Sequence, residues 1–232
     1  MTTYVLIHGA NYAGASWRFV SPHLDGPAVV VDLPGRGARP RRLADVTLDD
    51  FVSAAAEDVL AADARDAVLV AHSAGGLTAA HLINRLPGRF RSCVLVACTI
   101  PPHGEAIADN IDPDIREAVL AGSGDGTYAL DEATARVALC NDMEEETATV
   151  ALGEMQADTT ALLSEASDLS GLKAMDAVTY IRTTLDQTLP PEQQAAAIDA
   201  IGGCTVVDLD AGHLAMYSRP RDLADLIVAS GH

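Results

Sequence analysis

Val68-Leu69-Val70-Ala71-His72-Ser73-Ala74-Gly75-Gly76 is an apolar run that stops at a serine enclosed by small residues. Read as strand, turn and helix, it holds Ser73 on a tight bend at the carboxyl end of a buried strand, with the hydroxyl facing outward. Such a bend forces unfavourable backbone angles on the serine, so the positions two before and two after it must be small, as Ala71 and Gly75 are. The usual form of the turn is G-x-S-x-G, and here alanine stands at the first glycine. The alternative is a serine and two glycines that merely end a strand and cap the next helix. The rest of the chain decides between them.

Towards the amino terminus, Tyr4 to His8 is a β-branched run ending at His8-Gly9-Ala10. Ala28 to Asp32 repeats the theme before Leu33-Pro34-Gly35-Arg36-Gly37 stops it. Both read as buried strands. From Thr47 the period changes: Leu48, Phe51, Val52, Ala55 and Val59 share one helical face, with Thr47 as N-cap and Asp50 three residues on. Beyond Ser73 come a helix closing near Leu86-Pro87-Gly88, a strand Cys93 to Ala97 and, much later, strands Val178 to Thr183 and Cys204 to Leu209. A last helix starts at Ser218-Arg219-Pro220 with the serine as cap and buries Leu223, Leu226 and Ile227. Apolar strands alternating with helices predict an α/β fold. It would be one mostly parallel sheet of about six strands, flanked by helices on both faces, with ligands beyond the strands' carboxyl ends.

Residues 101–175 break this alternation. After Pro101-Pro102 only helical patterns appear, over Asp112 to Ala121, Asp131 to Cys140, Glu144 to Gln156 and Thr160 to Ala166. The expected organisation is a core of residues 1–100 and 176–232 with an all-helical insertion set as a small cap over the site.

With 232 residues, 49% hydrophobic and 21% charged, the chain suits one well-buried globular core. A formal charge of -18 repels phosphate backbones and anionic headgroups, which argues against nucleic acid or membrane as partner. No basic or long apolar leader precedes Tyr4, the expectation for a cytoplasmic protein. Cys93, Cys98, Cys140 and Cys204 show no CxxC spacing and read as small buried thiols rather than metal ligands or disulfides, and neither metal nor cofactor is expected.

A serine hydroxyl is a poor nucleophile until a base takes its proton, and an imidazole oriented by a carboxylate is the usual device. The strand 178–183 is followed by Thr184-Leu185-Asp186, and the strand 204–209 by Asp210-Ala211-Gly212-His213. Ser73, Asp186 and His213 thus stand in the nucleophile, acid, base order of hydrolase sheets that carry such an elbow. Asp208 and Asp210 compete weakly as the acid, but their closeness to His213 in sequence makes the required hairpin awkward. A tetrahedral oxyanion needs two donors already aimed at it. The Ala74 amide at the start of the elbow helix is one candidate, and the Ala10 amide in the loop after the first strand is the other. His8, His72 and Asp32 are expected to be structural, Glu144-Glu145-Glu146 to open a solvent-facing helix, and His103 to reach either the pocket or solvent.

With these residues assembled, the chain resembles the α/β-hydrolase superfamily, and within it the branch of plant methylesterases and hydroxynitrile lyases. His213-x-x-Met216-x-Ser218-x-Pro220 looks like that branch's histidine motif, and Asp186 followed by Pro190 and Gln194 like its acid motif. Val5-Leu6-Ile7-His8-Gly9-Ala10 with Trp17 looks like the methylesterase opening, which implies Ala10 as an oxyanion donor. Hydroxynitrile lyases carry threonine where Gly9 stands and lysine where Leu214 stands, so the resemblance implies an esterase. Ala71 at the first elbow glycine, and Asn11-Tyr12 where plant members have Cys-His, imply that the substrate differs from theirs.

The expectation is a cofactor-independent serine hydrolase that cleaves a small carboxylic ester, a methyl ester or lactone, through an acyl-enzyme. Its partner is a small-molecule ester, and an exposed apolar cap face would support a homodimer. Two rivals share the fold: carbon–carbon bond cleavage by a lyase or retro-Claisen route, and a noncatalytic small-molecule receptor.

Overall fold

The computed structural model describes residues 1–111, 116–117 and 124–231. Six strands form the main sheet: β1 Tyr4–Ile7, β2 Ala28–Val31, β3 Ala67–His72, β4 Phe90–Val96, β7 Val178–Thr183 and β8 Thr205–Leu209. They lie in the order β2-β1-β3-β4-β7-β8, and every pairing is parallel. Parallel strands need crossovers, and the helices that supply them cover both faces. Alternate residues of the central strands accordingly belong to two cores. Val5, Ile7, Leu69, Ala71, Cys93 and Leu95 pack on one face, and Tyr4, Leu6, Val68, Val70, Val94 and Val96 on the other.

The first core takes helix α1 (Leu48–Ala61), the elbow helix α2 (Gly75–Arg85) and part of a later helix, Pro191–Ile201. Thr47 and Asp50 close a reciprocal capping box on α1, and Phe51, Val52, Ala55 and Val59 are buried as the periodicity predicts. The second core takes Trp17 and the carboxyl-terminal helix Pro220–Ser230. That helix departs from expectation: its N-cap is Arg219, and Ser218 instead ends a short helical turn, Ala215–Ser218. Strand β2 is also buried only in part, with Val31 in the first core. It is the sheet's edge, with Val30 41% exposed, and its β-branched run reflects pairing with β1 rather than a covered position.

The chain between β4 and β7 is not all helical. It contains helices α3 (Glu132–Leu139) and α4 (Glu145–Gly153), short helical turns at Ala161–Ser164 and Ser170–Lys173, and an antiparallel pair of two-residue strands, β5 (Thr127–Tyr128) and β6 (Asp158–Thr159). Two-residue strands are too short to show alternation, which is why sequence patterning misses them. Asp131 caps α3 by accepting the Thr134 amide, and α4 begins after Glu144 and ends at Gly153, short of Gln156. The expected helix from Asp112 to Ala121 lies, apart from Arg116 and Glu117, outside the described residues. Among the described residues no helix is long and apolar enough to cross a membrane.

One glycine fixes how closely the elbow helix approaches the sheet. A Cβ at Gly75 would overlap the His8 carbonyl oxygen and press on Ile7 Cγ2. Since the obstacle is backbone, Gly75→Ala is expected to force α2 away from β1 and to lower stability by about 1–3 kcal/mol, read from the urea midpoint.

Candidate active site

Strand order decides where the site lies. The chain runs outward from β1 to β2 and then returns to the other side of β1 for β3, so the carboxyl ends of β1 and β3 form a switch point. With Ile7 in register with Ala71, the loop Gly9-Ala10 lies directly against Ser73. A Cβ at Gly9 would come 2.9 Å from Ser73 Cβ and 2.8 Å from His72 Nδ1. Ser73 has φ 52, the left-handed region that costs an L-residue about 1–2 kcal/mol, and it is the strained turn the sequence predicts. Its amide donates to the Val96 carbonyl at 3.1 Å, and its carbonyl accepts from Gly76 and Thr99. The backbone is thereby pinned on both sides, while the residue stays half-buried and reachable.

Asp186 leaves β7 and His213 leaves β8. The loop Asp210–His213 must pass over β7 and β4 to reach Ser73 at the end of β3. It does so: Ser73 Oγ and His213 Nε2 are 2.9 Å apart, and His213 Nδ1 and Asp186 Oδ2 are 2.7 Å apart. A carboxylate can only accept, so Nδ1 carries the ring proton and Nε2 offers its lone pair to the serine hydroxyl. The loop is held in three ways. His72 Nε2–H donates to the His213 carbonyl at 2.9 Å, the Gly212 amide donates to Asp142 Oδ2 at 2.8 Å, and the Leu185 amide donates to the Ala211 carbonyl.

Asp186 is as tightly framed. Its Oδ1 accepts the amides of Thr188 and Leu189, each at 2.8 Å, and its Oδ2 accepts the Thr183 hydroxyl at 2.9 Å as well as His213. Burial pushes the carboxyl's pKa up. The adjoining His213 and these donors outweigh burial, and Asp186 ends below the ordinary carboxylate range. Gln194, fully buried, staples the same loop: its Nε2 donates to the Thr183 and Leu189 carbonyls and its Oε1 accepts the Thr183 amide. The rival acids are elsewhere, since Asp208 pairs with Arg182 and Asp210 with Thr184.

The amides of Ala10 and Ala74 donate to no carbonyl among the described residues, and both belong to turns that touch Ser73. His8 bears on this directly. Its Nδ1–H donates to the Gly9 carbonyl at 2.8 Å, while its Nε2 accepts the Leu33 amide. Carbonyl and N–H of a trans peptide point opposite ways, so holding Gly9 O aims Ala10 N–H away from His8. Burial keeps both neighbouring histidines neutral, with His8 and His72 each lowered to about 3. Both are structural, as the sequence implies, but what they hold is the site. His103 instead accepts the Leu169 amide at its Nδ1, and Asp32 binds the Gly14 and Ala38 amides.

An alpha/beta hydrolase family model matches residues 4–226 of the chain. The chain belongs to the alpha/beta hydrolase family. Among curated members, "Probable hydrolase R7" of Phoma sp. (strain ATCC 20986 / MF5453) is 30% identical over 87% of this chain and 85% of its own length. "Methylesterase 17" of Arabidopsis thaliana is 27% identical over 97% of this chain and 90% of its own. The solved structure of an extracellular alpha/beta-hydrolase from a Paenibacillus species, described as sharing structural and functional homology with tobacco salicylic acid binding protein 2, covers 100% of both chains. Its TM-score is 0.92 at 20% identity, a likeness of fold. A wide cleft of about 730 Å³ between the α2 end and the start of β4, lined by Asn84, Pro87 and Arg91, lies at the opposite end of the sheet from Ser73.

Proposed function

We propose that the protein is a serine esterase in which Ser73, His213 and Asp186 act as nucleophile, base and acid on a small carboxylic ester, a methyl ester or lactone. The observation that carries this reading is the unbroken run of hydrogen bonds from Ser73 Oγ through His213 to Asp186, at 2.9 and 2.7 Å, beginning at a serine with strained φ. His213 Nε2 takes the hydroxyl proton as Ser73 Oγ attacks the ester carbon. The imidazolium is stabilised by Asp186, and the carbonyl oxygen, now anionic, accepts from the Ala10 and Ala74 amides. Collapse breaks the bond to the alcohol oxygen, which leaves with the proton from His213. Water then attacks the acyl-enzyme with His213 again as base, releasing the acid and restoring Ser73.

Hydrolysis rather than lyase chemistry is supported at Gly9. The side chain of a threonine there would run into His72 and Ser73. A methyl or other small ester is supported by the methylesterase relative. In this reading the segment between β4 and β7 is a cap that selects the substrate.

The test is intact mass after treatment with a fluorophosphonate. A single adduct on the wild type and none on Ser73→Ala or His213→Ala is expected, followed by turnover of a panel of methyl esters and lactones. A folded wild type that takes no adduct would overturn the assignment of Ser73.

A further inference from the structure

The loop that carries Ala10 is held from two directions, and the second hold comes from the insertion. His8 pins the Gly9 carbonyl from the core. On the other side of Ala10, Asn11 sits at φ 62 and spends its backbone groups and its side-chain amide on residues 156–158. Its amide donates to Asp158 Oδ2 at 2.8 Å, its carbonyl accepts the Gln156 amide at 3.0 Å, and its side-chain amide donates to the Gln156 carbonyl at 2.9 Å. Asp158 is fully buried, and its other oxygen, Oδ1, accepts the Thr159 amide at 2.6 Å and Arg36 Nη2. Arg36 is buried too, lies 5.0 Å over the Phe51 ring, and has neither an acceptor for Nε nor one for Nη1 among the described residues.

Stability does not account for this pair. A buried ion pair is often matched or bettered by apolar residues of similar size, and one with two unmet guanidinium donors is a poor case of its kind. What the arrangement does secure is direction: with Oδ1 held by Arg36 and Thr159, Oδ2 faces the Asn11 amide. The Ala10–Asn11 peptide is thereby locked one residue downstream of the proposed oxyanion donor, as His8 locks the Gly9–Ala10 peptide upstream.

We propose that Asp158, oriented by Arg36, is a positioning residue for the oxyanion loop: by accepting the Asn11 amide it fixes the peptide on the far side of Ala10, so that Ala10 N–H keeps the direction His8 gives it and the insertion takes part in building the site it covers. This rests on the reading of Ala10 as an oxyanion donor. Residues 156–159 are then a fixed wall rather than a lid, since lifting them would release the loop.

The experiment compares two double variants in which no buried charge is left unpaired. Arg36→Met with Asp158→Leu deletes the acceptor for the Asn11 amide, and Arg36→Met with Asp158→Asn keeps a neutral one. With 4-nitrophenyl acetate, and kcat normalised to the fraction of protein labelled by fluorophosphonate, the leucine variant is expected to lose on the order of 10- to 100-fold in kcat. Its KM should stay within about twofold, and the asparagine variant, which keeps one acceptor but lacks the orienting Arg36, should lose several-fold less kcat than the leucine variant. A trifluoromethyl ketone, which forms a tetrahedral oxyanion on the serine, should weaken on the leucine variant by the same factor as kcat/KM. Equal activity in the two variants, or a loss that disappears after normalisation, overturns the proposal. If the leucine variant does not fold, amide exchange in the wild type decides: Asn11 N–H should exchange as slowly as the amides of β3, and loop-like exchange overturns the proposal. A wild type without a Ser73 adduct would instead overturn the esterase reading, a separate outcome.

Discussion

Alanine at Ser73 is expected to reduce kcat for 4-nitrophenyl acetate by on the order of 10⁵-fold, His213→Ala by a similar factor, and the double variant by no more than either single change. The equality follows from the geometry. Ser73 Oγ and His213 Nε2 share one hydrogen bond at 2.9 Å, and removing either end leaves the other with nothing to do in proton transfer. The turnover that survives belongs to the oxyanion donors and to binding, which neither change touches. Stability should move the other way at the proposed nucleophile. Ser73 is held at φ 52, and glycine adopts that angle without strain, so Ser73→Gly should remove activity while raising stability by about 1 kcal/mol. Steady-state kinetics with urea unfolding on the same preparations checks both. Additive losses in the double variant would show that Ser73 and His213 do not work as a unit.

Much of this site is legible in the chain because its members sit where strands end. Ser73, Asp186 and His213 each follow an apolar run and precede a turn, and the strand order brings those ends together. Helix α1 is equally plain, since a capping box and a 3.6-residue stripe coincide at Thr47. What sequence patterning misses are long-range polar ties. The bond from Asp142 to the Gly212 amide spans 70 residues and that from Asp158 to the Asn11 amide 147, and neither acid belongs to any local motif. Gln194 is an intermediate case. Its place after Asp186 and Pro190 marks it as part of a motif, but its work as a threefold staple of the acid loop appears only when Thr183 and Leu189 are seen around it. The edge position of β2 is hidden for a related reason: β-branched residues suit a paired strand whether or not both faces are covered.

Acidification from pH 6.5 to 5 is expected to lower the unfolding free energy by about 3 kcal/mol through His8 and His72 alone. Both imidazoles are buried without a carboxylate bonded to the ring, and burial first, then Arg36 beside His8 and the imidazole of His213 beside His72, lowers each to about 3. In the unfolded chain they titrate near 6.5. Above that value neither state binds the protons and no penalty exists. As pH falls through 6.5, only the unfolded chain takes them up, so stability drops by up to about 1.4 kcal/mol per unit for each histidine until the folded values are reached. The result over this range requires only that both rings stay neutral in the folded protein above pH 5: His8 Nε2 must accept the Leu33 amide, and burial against the imidazole of His213, with ring centroids 4.8 Å apart, disfavours a charge on His72. The depressed carboxyl of Asp186 acts in the same direction at lower pH, its contribution present above the ordinary carboxylate range and lost as pH falls through its folded value. Relief of repulsion among the surface acids of a chain with formal charge -18 opposes it there, which makes the interval above pH 5 the informative one. Urea midpoints at pH 6.5 and 5 measure the slope, and a folded His72→Gln variant should show about half of it. An unchanged slope in that variant would mean that the proton uptake lies elsewhere and that His72 is not held neutral by its burial.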